Sequence, residues 1–332
     1  MGKYDDALYR YLSDNDRFAD LFNAVFFDGK EILRGELLQA DSERYVTMIP
    51  QSETGEIRRN KSGFRDIKKR ANTGESFVVT AIENQNNIDY AMPWRIMQYD
   101  QMEYGRQIQE LQRRRRMADK ARGLPVSRWK DRLERGDKLH PVYTICFYHG
   151  TDVWDGPRSL RDMMDFNQDI HVWQSCFHDY GMTLFCAGEP NNLTCFRTEL
   201  KQLLEVLSLR KDKKKLSTLW RQEEFACLDR ETAETMAILT DSTEILEKLE
   251  DYRNEGGYNM CQAVDEMRSD WKAEGKAEFI LQLLYDKGEV SGDLTEKIME
   301  EKDFDTLNTW FQIAVRVKTV QQFAREAGIE MA

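Results

Sequence analysis

Asp66 and the tripeptide Glu83-Asn84-Gln85 are the residues of this chain whose types and spacing point most directly to chemistry. Asp66 opens the run Asp-Ile-Lys-Lys-Arg, and Glu83 closes Ser76-Phe-Val-Val-Thr-Ala-Ile-Glu, a β-branched, apolar stretch with the composition of a strand. Asn72-Thr-Gly74 between them is turn chemistry. Two short strands pairing antiparallel about that turn bring Asp66 close to Glu83. Because strand side chains alternate, Glu83 and Gln85 share one face while Ile82 and Asn84 share the other. Two carboxylates meeting at the end of a hairpin make a hard-oxygen site suited to Mg²⁺.

The element that must follow the hairpin is a helix. Pro93 suits its first turn, where a missing N–H costs nothing. Trp94, Met97, Gln101, Tyr104, Ile108 and Leu111 form one stripe at helical spacing, read as core, and Arg95, Tyr99, Met102 and Arg106 form another. Residues 105–138 carry 12 basic against 5 acidic residues, including Arg113, Arg114, Arg115 and Arg116, with Gly123-Leu-Pro125 breaking the pattern. This is a basic helical extension followed by a loop, either a solvated face or a strip that contacts phosphates. Pro141 to Tyr148 then reads as an apolar core strand ending at Gly150.

Upstream, Leu8, Tyr11 and Leu12 suggest one short helix, and Phe18, Leu21, Phe22, Val25 and Phe26 mark a second, stopped by Asp28-Gly29. Tyr45–Ile49 and Gly55–Arg59 are strand candidates. Downstream, the segments 169–177 and 182–187 supply loop and extended chain, and Cys195–Leu209 reads as a helix. From about Leu216 onward the pattern is amphipathic helices alone, a helical appendage that packs or self-associates.

The order Asp66, Glu83-Asn84-Gln85, Ile88-Asp-Tyr-Ala-Met-Pro93, Arg95, Tyr99, Tyr104 resembles the recombination-promoting nuclease (transposase-like) family of the PD-(D/E)XK nuclease superfamily. The resemblance extends to Phe18–Gly29, to Pro141–Gly150 and to Trp154, over roughly the first 215 residues. It implies an α/β fold with a restriction-endonuclease-like core and a mixed central sheet of four or five strands over 1–215. An all-helical C-terminal region would occupy 216–332. It further implies Asp66 and Glu83 as ligands of Mg²⁺ or Mn²⁺ with help from the Asn84 carbonyl, and Arg95 and Tyr99 lying over the active site. The third motif position, usually Lys in the superfamily, is Gln85, an amide that donates a hydrogen bond to water or phosphate but brings no charge. An acidic group from the first helices joins the metal in many such folds, which makes Asp20 a candidate. The competing reading is that Asp16 and Asp20 favour a helix N-terminus electrostatically.

The formal net charge of −11 is unevenly distributed: residues 1–150 hold 26 Lys/Arg against 23 Asp/Glu, and residues 151–332 hold 22 against 36. The basic charge therefore lies beside the candidate site, as a polyanionic substrate requires. Hydrophobic residues at 41% and charged residues at 32%, with no long apolar run, exclude a membrane-spanning protein. Met1-Gly-Lys-Tyr-Asp-Asp lacks the apolar core of a signal peptide, so a cytoplasmic location is expected. The six cysteines follow no CxxC spacing, and His171, Cys176 and His178 match no zinc pattern.

The expectation is a Mg²⁺- or Mn²⁺-dependent DNA endonuclease associated with recombination or a mobile element. Asp66, Glu83 and Gln85 would act at the reacting phosphate, and Arg95, Tyr99 and Arg113 to Arg116 would bind DNA. Two other classes compete with it. One is a catalytically weak nuclease-fold protein that binds DNA or regulates the element. The other is a phosphate-independent helical interaction protein whose hairpin carboxylates are surface decoration.

Overall fold

The computed structural model describes residues 2–40, 67–72, 77–123, 133–166, 171–189 and 192–329. Asp66 and the strand candidates Tyr45–Ile49 and Gly55–Arg59 lie outside the described residues, as does the segment between Asn72 and Phe77. The chain divides into two compact units, Met1–Leu216 with Ile238–Asp241, and Ser217–Ala237 with Ser242–Ala332.

The first unit is a mixed α/β structure around a five-stranded sheet. Its strands are β1 (Leu38–Ala40), β2 (Ile67–Asn72), β3 (Phe77–Gln85), β4 (Val142–Tyr148) and β5 (Thr183–Cys186), in that spatial order. β1, β2 and β3 pair antiparallel, whereas β3, β4 and β5 pair parallel. The parallel step from β3 to β4 needs a crossover, and the 30-residue helix α3 (Met92–Ala121) supplies it. On the other face lie α1 (Lys3–Ser13) and α2 (Asn15–Phe27), with α1 packed on β2 and β3.

Local chemistry fixes the ends of these helices. The Asp14 carboxylate caps α2 by accepting from the backbone N–H groups of Asp16 and Arg17, both at 3.0 Å. Asp28 and Gly29 end it in the left-handed region (φ 53° and 76°), and a Cβ at Gly29 would lie 2.8 Å from the Cys195 carbonyl. Further on, α4 (His171–Cys176) is a short helix where loop or extended chain was expected. A second difference concerns the helix expected from Cys195: Leu193–Cys195 is a 3₁₀ turn, and α5 starts only at Leu200 and runs to Leu209. Asp20 explains the delay. Its buried carboxylate accepts from the backbone N–H of Arg197 (3.0 Å) and Thr198 (2.8 Å) and from Thr198 Oγ1 (2.6 Å), which holds that segment outside helical geometry.

The buried face of α3 also differs from the expected stripe. It is Met92, Ile96, Tyr99, Asp100, Glu103 and Gln107 that are buried, while Trp94 is 44% exposed and Gln101 faces solvent. The reason lies in the sheet beneath. The covered strand face carries Lys68, Glu83 and Thr144, so the helix meets it with polar side chains, and apolar spacing no longer marks where water is excluded.

The second unit is helical. After α6 (Lys213–Leu219), which spans the division, come α7 (Arg230–Leu239), α8 (Thr243–Glu247), α9 (Met260–Tyr285), α10 (Gly292–Glu300), α11 (Phe304–Arg316) and α12 (Val320–Glu326). Ala277, Ile280 and Leu284 of α9 pack with Leu294, Ile298, Leu307, Ile313 and Phe323 in one apolar cluster. Side-chain caps define the starts of α9 to α12: Asn259, Ser291, Asp303 and Thr319 each accept a backbone N–H three residues on. Replacing Asn259 by alanine is expected to destabilise this unit by about 1 kcal/mol, read as a lowered urea midpoint. An unchanged midpoint would show that the cap contributes nothing.

Candidate functional site

The register of the sheet decides which side chains meet. Lys68 stands opposite Ala81, Glu83 opposite Cys146, and Gln85 opposite Tyr148. These residues share the face covered by α3, because Thr144 Oγ1 donates to Asp100 at 3.0 Å and Met92 and Ile96 pack on Cys146, Tyr148 and Cys186. Ile82 and Asn84 belong to the opposite face, where Lys69 donates to the Ser13 carbonyl (2.6 Å) and Asn15 Oδ1 (2.5 Å) of the α1–α2 corner.

Glu83 is 1% exposed and Asn84 6%, whereas Gln85 is half-buried. Across from Glu83 lies Arg95, in the first turn of α3. Its Nη1 pairs with Asp89 Oδ2 at 2.5 Å, and Asp89 Oδ1 in turn accepts the Ala91 N–H at 2.8 Å, fixing the turn that launches the helix. Burial pulls the Arg95 guanidinium toward neutrality, yet its hydrogen bonds to Asp89 and Tyr99 and the nearby Glu83 carboxylate outweigh that and raise its pKa. Cys146 reports the same neighbourhood from the strand side: burial first, then the Glu83 charge, pushes its thiol well up. The structure thus brings Glu83, Arg95 and Tyr99 together.

Beyond this cluster a buried polar ladder continues between α3 and the sheet. Asp100 accepts from Thr144 and from the Tyr180 hydroxyl. Glu103 accepts from Lys68 Nζ at 2.7 Å, from Arg106 Nη2 at 2.7 Å and from Gln107 at 3.1 Å, and the Lys68 and Glu103 side chains are 3% and 0% exposed. Asp100 and Glu103 were missed in the sequence, and Lys68 and Asp89 stand there only as members of longer motifs with no role given to either. A usable signal was present: 100, 103 and 107 continue the spacing of the apolar residues 92, 96 and 99, so carboxylates occupy core positions of a helix.

The four-arginine strip does not act as one surface. Arg115 is drawn to the loop after α3, where it pairs with Asp137 and with Glu134 at 3.7 Å. Arg113 and Arg114 instead line a cleft with Arg70 and Arg106, and Arg116 is exposed elsewhere on the helix.

The donors implied for a divalent metal can be weighed by their chemistry. Glu83 offers a carboxylate. The Gln85 carbonyl accepts the His149 N–H on the β4 side at 2.9 Å, so the alternating Asn84 carbonyl is turned to the β2 side. Oxygen donors of this kind suit a hard cation. The set is incomplete as described: among the described residues no three His, Cys, Asp or Glu side chains gather, and Asp66 is outside them. Asp20 is already engaged by the 197–198 backbone.

No family model, curated protein or solved structure matches this chain. Among the described residues, no helix is long and apolar enough to cross a membrane.

His149, next to the site in sequence and fully buried, gives the first unit a pH dependence. Its Nε2 meets Asp5 Oδ1 at 3.1 Å, and burial, aided by Arg210 and opposed by Asp5, lowers its pKa to about 4. The native state thus holds a neutral ring where an unfolded chain, near 6.5, takes a proton. Stability is fully present above about pH 6.5 and is lost as pH falls toward about 4, by at most about 3 kcal/mol. Denaturant titrations of the parent and His149→Gln across this window are expected to diverge, the parent losing more. Parallel profiles would remove His149 as the cause.

Proposed function

We propose that this chain is a metal-dependent DNA endonuclease with a PD-(D/E)XK-type core, associated with recombination or a mobile element. The observation that carries this reading is the β2–β3–α3–β4 unit: an antiparallel hairpin, a helical crossover and a parallel strand, with Glu83 near the end of β3 under Arg95. Asp66 immediately precedes Ile67, and Ile67 is paired with Ile82, the neighbour of Glu83.

In this reading Asp66, Glu83 and the Asn84 carbonyl hold Mg²⁺ or Mn²⁺. When bound, the ion would polarise the scissile phosphate and lower the pKa of a water. Gln85, on the same face as Glu83, donates an amide hydrogen bond that orients the water or the phosphate. Arg95 offers a fixed positive charge to the phosphate oxygens, held in place by Asp89 and Tyr99. Burial beneath α3 makes these charges act more strongly than they would in water. The reading places the protein in the cytoplasm with its DNA and leaves the helical unit as a means of self-association.

A second reading, a nuclease-fold protein that binds DNA without efficient cleavage, is favoured by one observation. The Arg95 charge already lies beside Glu83, where it offsets the carboxylate that a cation would otherwise neutralise. A plasmid assay separates the two. Supercoiled DNA is expected to be nicked with Mg²⁺ or Mn²⁺ and left intact with EDTA, and DNA that stays supercoiled with either metal would favour the second reading.

A further inference from the structure

We infer that the cleft between β2 and the second half of α3 grips the phosphate backbone of the nucleic acid about four to eight nucleotides from the phosphate that meets Glu83, acting as a length gauge. The distance rests on the nuclease reading above; the binding does not.

Arg70, Arg106, Arg113 and Arg114 line this cleft together with Gln109, Met117 and a single acid, Glu110. Arg106 reaches Glu110 at 3.2 Å, and Arg114 donates to its other oxygen. Burial pushes the Glu110 carboxyl up, yet Arg114, Arg106 and Arg70 together hold it below its ordinary value, so these guanidiniums converge on one carboxylate. Even with Glu103, which also holds Arg106, counted beside Glu110, four guanidinium groups leave a surplus of positive charge in a concave site. Guanidinium forks match phosphate oxygens bidentately, and Arg113 and Arg114 at the exposed rim are long enough to follow a backbone.

The spacing along the fold supplies the gauge. At about 3.3 Å per strand residue, Val79, the partner of Arg70, stands about 13 Å from Glu83. At about 1.5 Å per helical residue, Arg106 lies about 17 Å and Arg113 about 27 Å beyond Arg95 along α3. Phosphates of one strand follow one another about every 3.4 Å along a duplex axis, which converts these lengths into about four to eight nucleotides. Arg115 is excluded from this role by its attachment to Asp137 and Glu134, which makes it an internal control of the same charge.

The test is fluorescence anisotropy of a labelled 20-base-pair duplex bound to the full chain in EDTA, as a function of salt. Arg113→Gln/Arg114→Gln is expected to reduce the slope of log affinity against log salt by about 1.8, since each duplex phosphate contact contributes about 0.9, while Arg115→Gln leaves it unchanged. In the parent, inorganic phosphate should compete only at tens of millimolar. Three results would overturn the proposal: an unchanged slope in the double variant, an equal flattening by Arg115→Gln, or displacement of duplex by low-millimolar phosphate, which marks a small-anion site. A shift of elution volume in the double variant with no change of slope would assign the cleft to a second copy of the chain and overturn it too. A flattened slope without plasmid nicking would keep this cleft and remove the nuclease; nicking with an unchanged slope would do the reverse.

Discussion

Glu83→Gln is expected to lower Mg²⁺-dependent nicking of supercoiled plasmid by at least about 100-fold, since altering even an outer-shell partner of a metal ligand costs about 10- to 100-fold. The substitution keeps the size and shape of a side chain that is 1% exposed, so the fold has no volume change to absorb. What changes is charge: an amide in place of the buried carboxylate removes the anionic donor and leaves Arg95 balanced by Asp89 alone within this cluster. Circular dichroism and the urea midpoint should stay close to the parent while activity falls. Activity at parent level would show that the nicking comes from elsewhere in the chain or from a contaminant.

The largest stability effect is expected at Glu103. This carboxylate, 0% exposed, holds Lys68 at 2.7 Å, Arg106 and Gln107. Glu103→Gln leaves a buried ammonium on β2 facing a neutral amide, and breaking a buried pair from one side costs about 3–5 kcal/mol. Against a total domain stability of about 5–15 kcal/mol, that is a large share. Lys68→Met should cost less, because Arg106 remains beside Glu103. The double variant Lys68→Met/Glu103→Gln should recover much of the loss, since it leaves no uncompensated ammonium on β2. Urea unfolding of the four proteins forms a double-mutant cycle, and additive losses would show that the two residues do not depend on each other.

These two residues also show what could be read in the sequence and what could not. The hairpin was legible because β3 is β-branched and apolar up to Ile82, and β4 was legible because its apolar run ends cleanly before Gly150. Glu83 and Gln85 sharing a face followed from strand alternation alone, and the register agrees. The buried face of α3 was illegible to hydrophobic periodicity, because Asp100, Glu103 and Gln107 are held in the interior by partners on β4, on β2 and at His140 just before β4, all distant in sequence. Lys68 and Lys69 carry no role in the strand run Asp-Ile-Lys-Lys-Arg, yet both are buried, one against Glu103 and the other against the corner between α1 and α2. Lys69 bears the mark of that burial in a pKa lowered to about 8. Likewise, the division of the arginine strip depends on Asp137, which reaches Arg115 from across a loop, and no local spacing announces it.

We propose that Asp66 and Glu83 hold one divalent ion between them, and Mn²⁺ binding measures this without reference to catalysis. Isothermal titration with electron paramagnetic resonance detection of free Mn²⁺ is expected to show a single ion bound to the parent and none at the same concentrations in Asp66→Asn or Glu83→Gln. Equal Mn²⁺ binding by the parent and both variants would contradict the account.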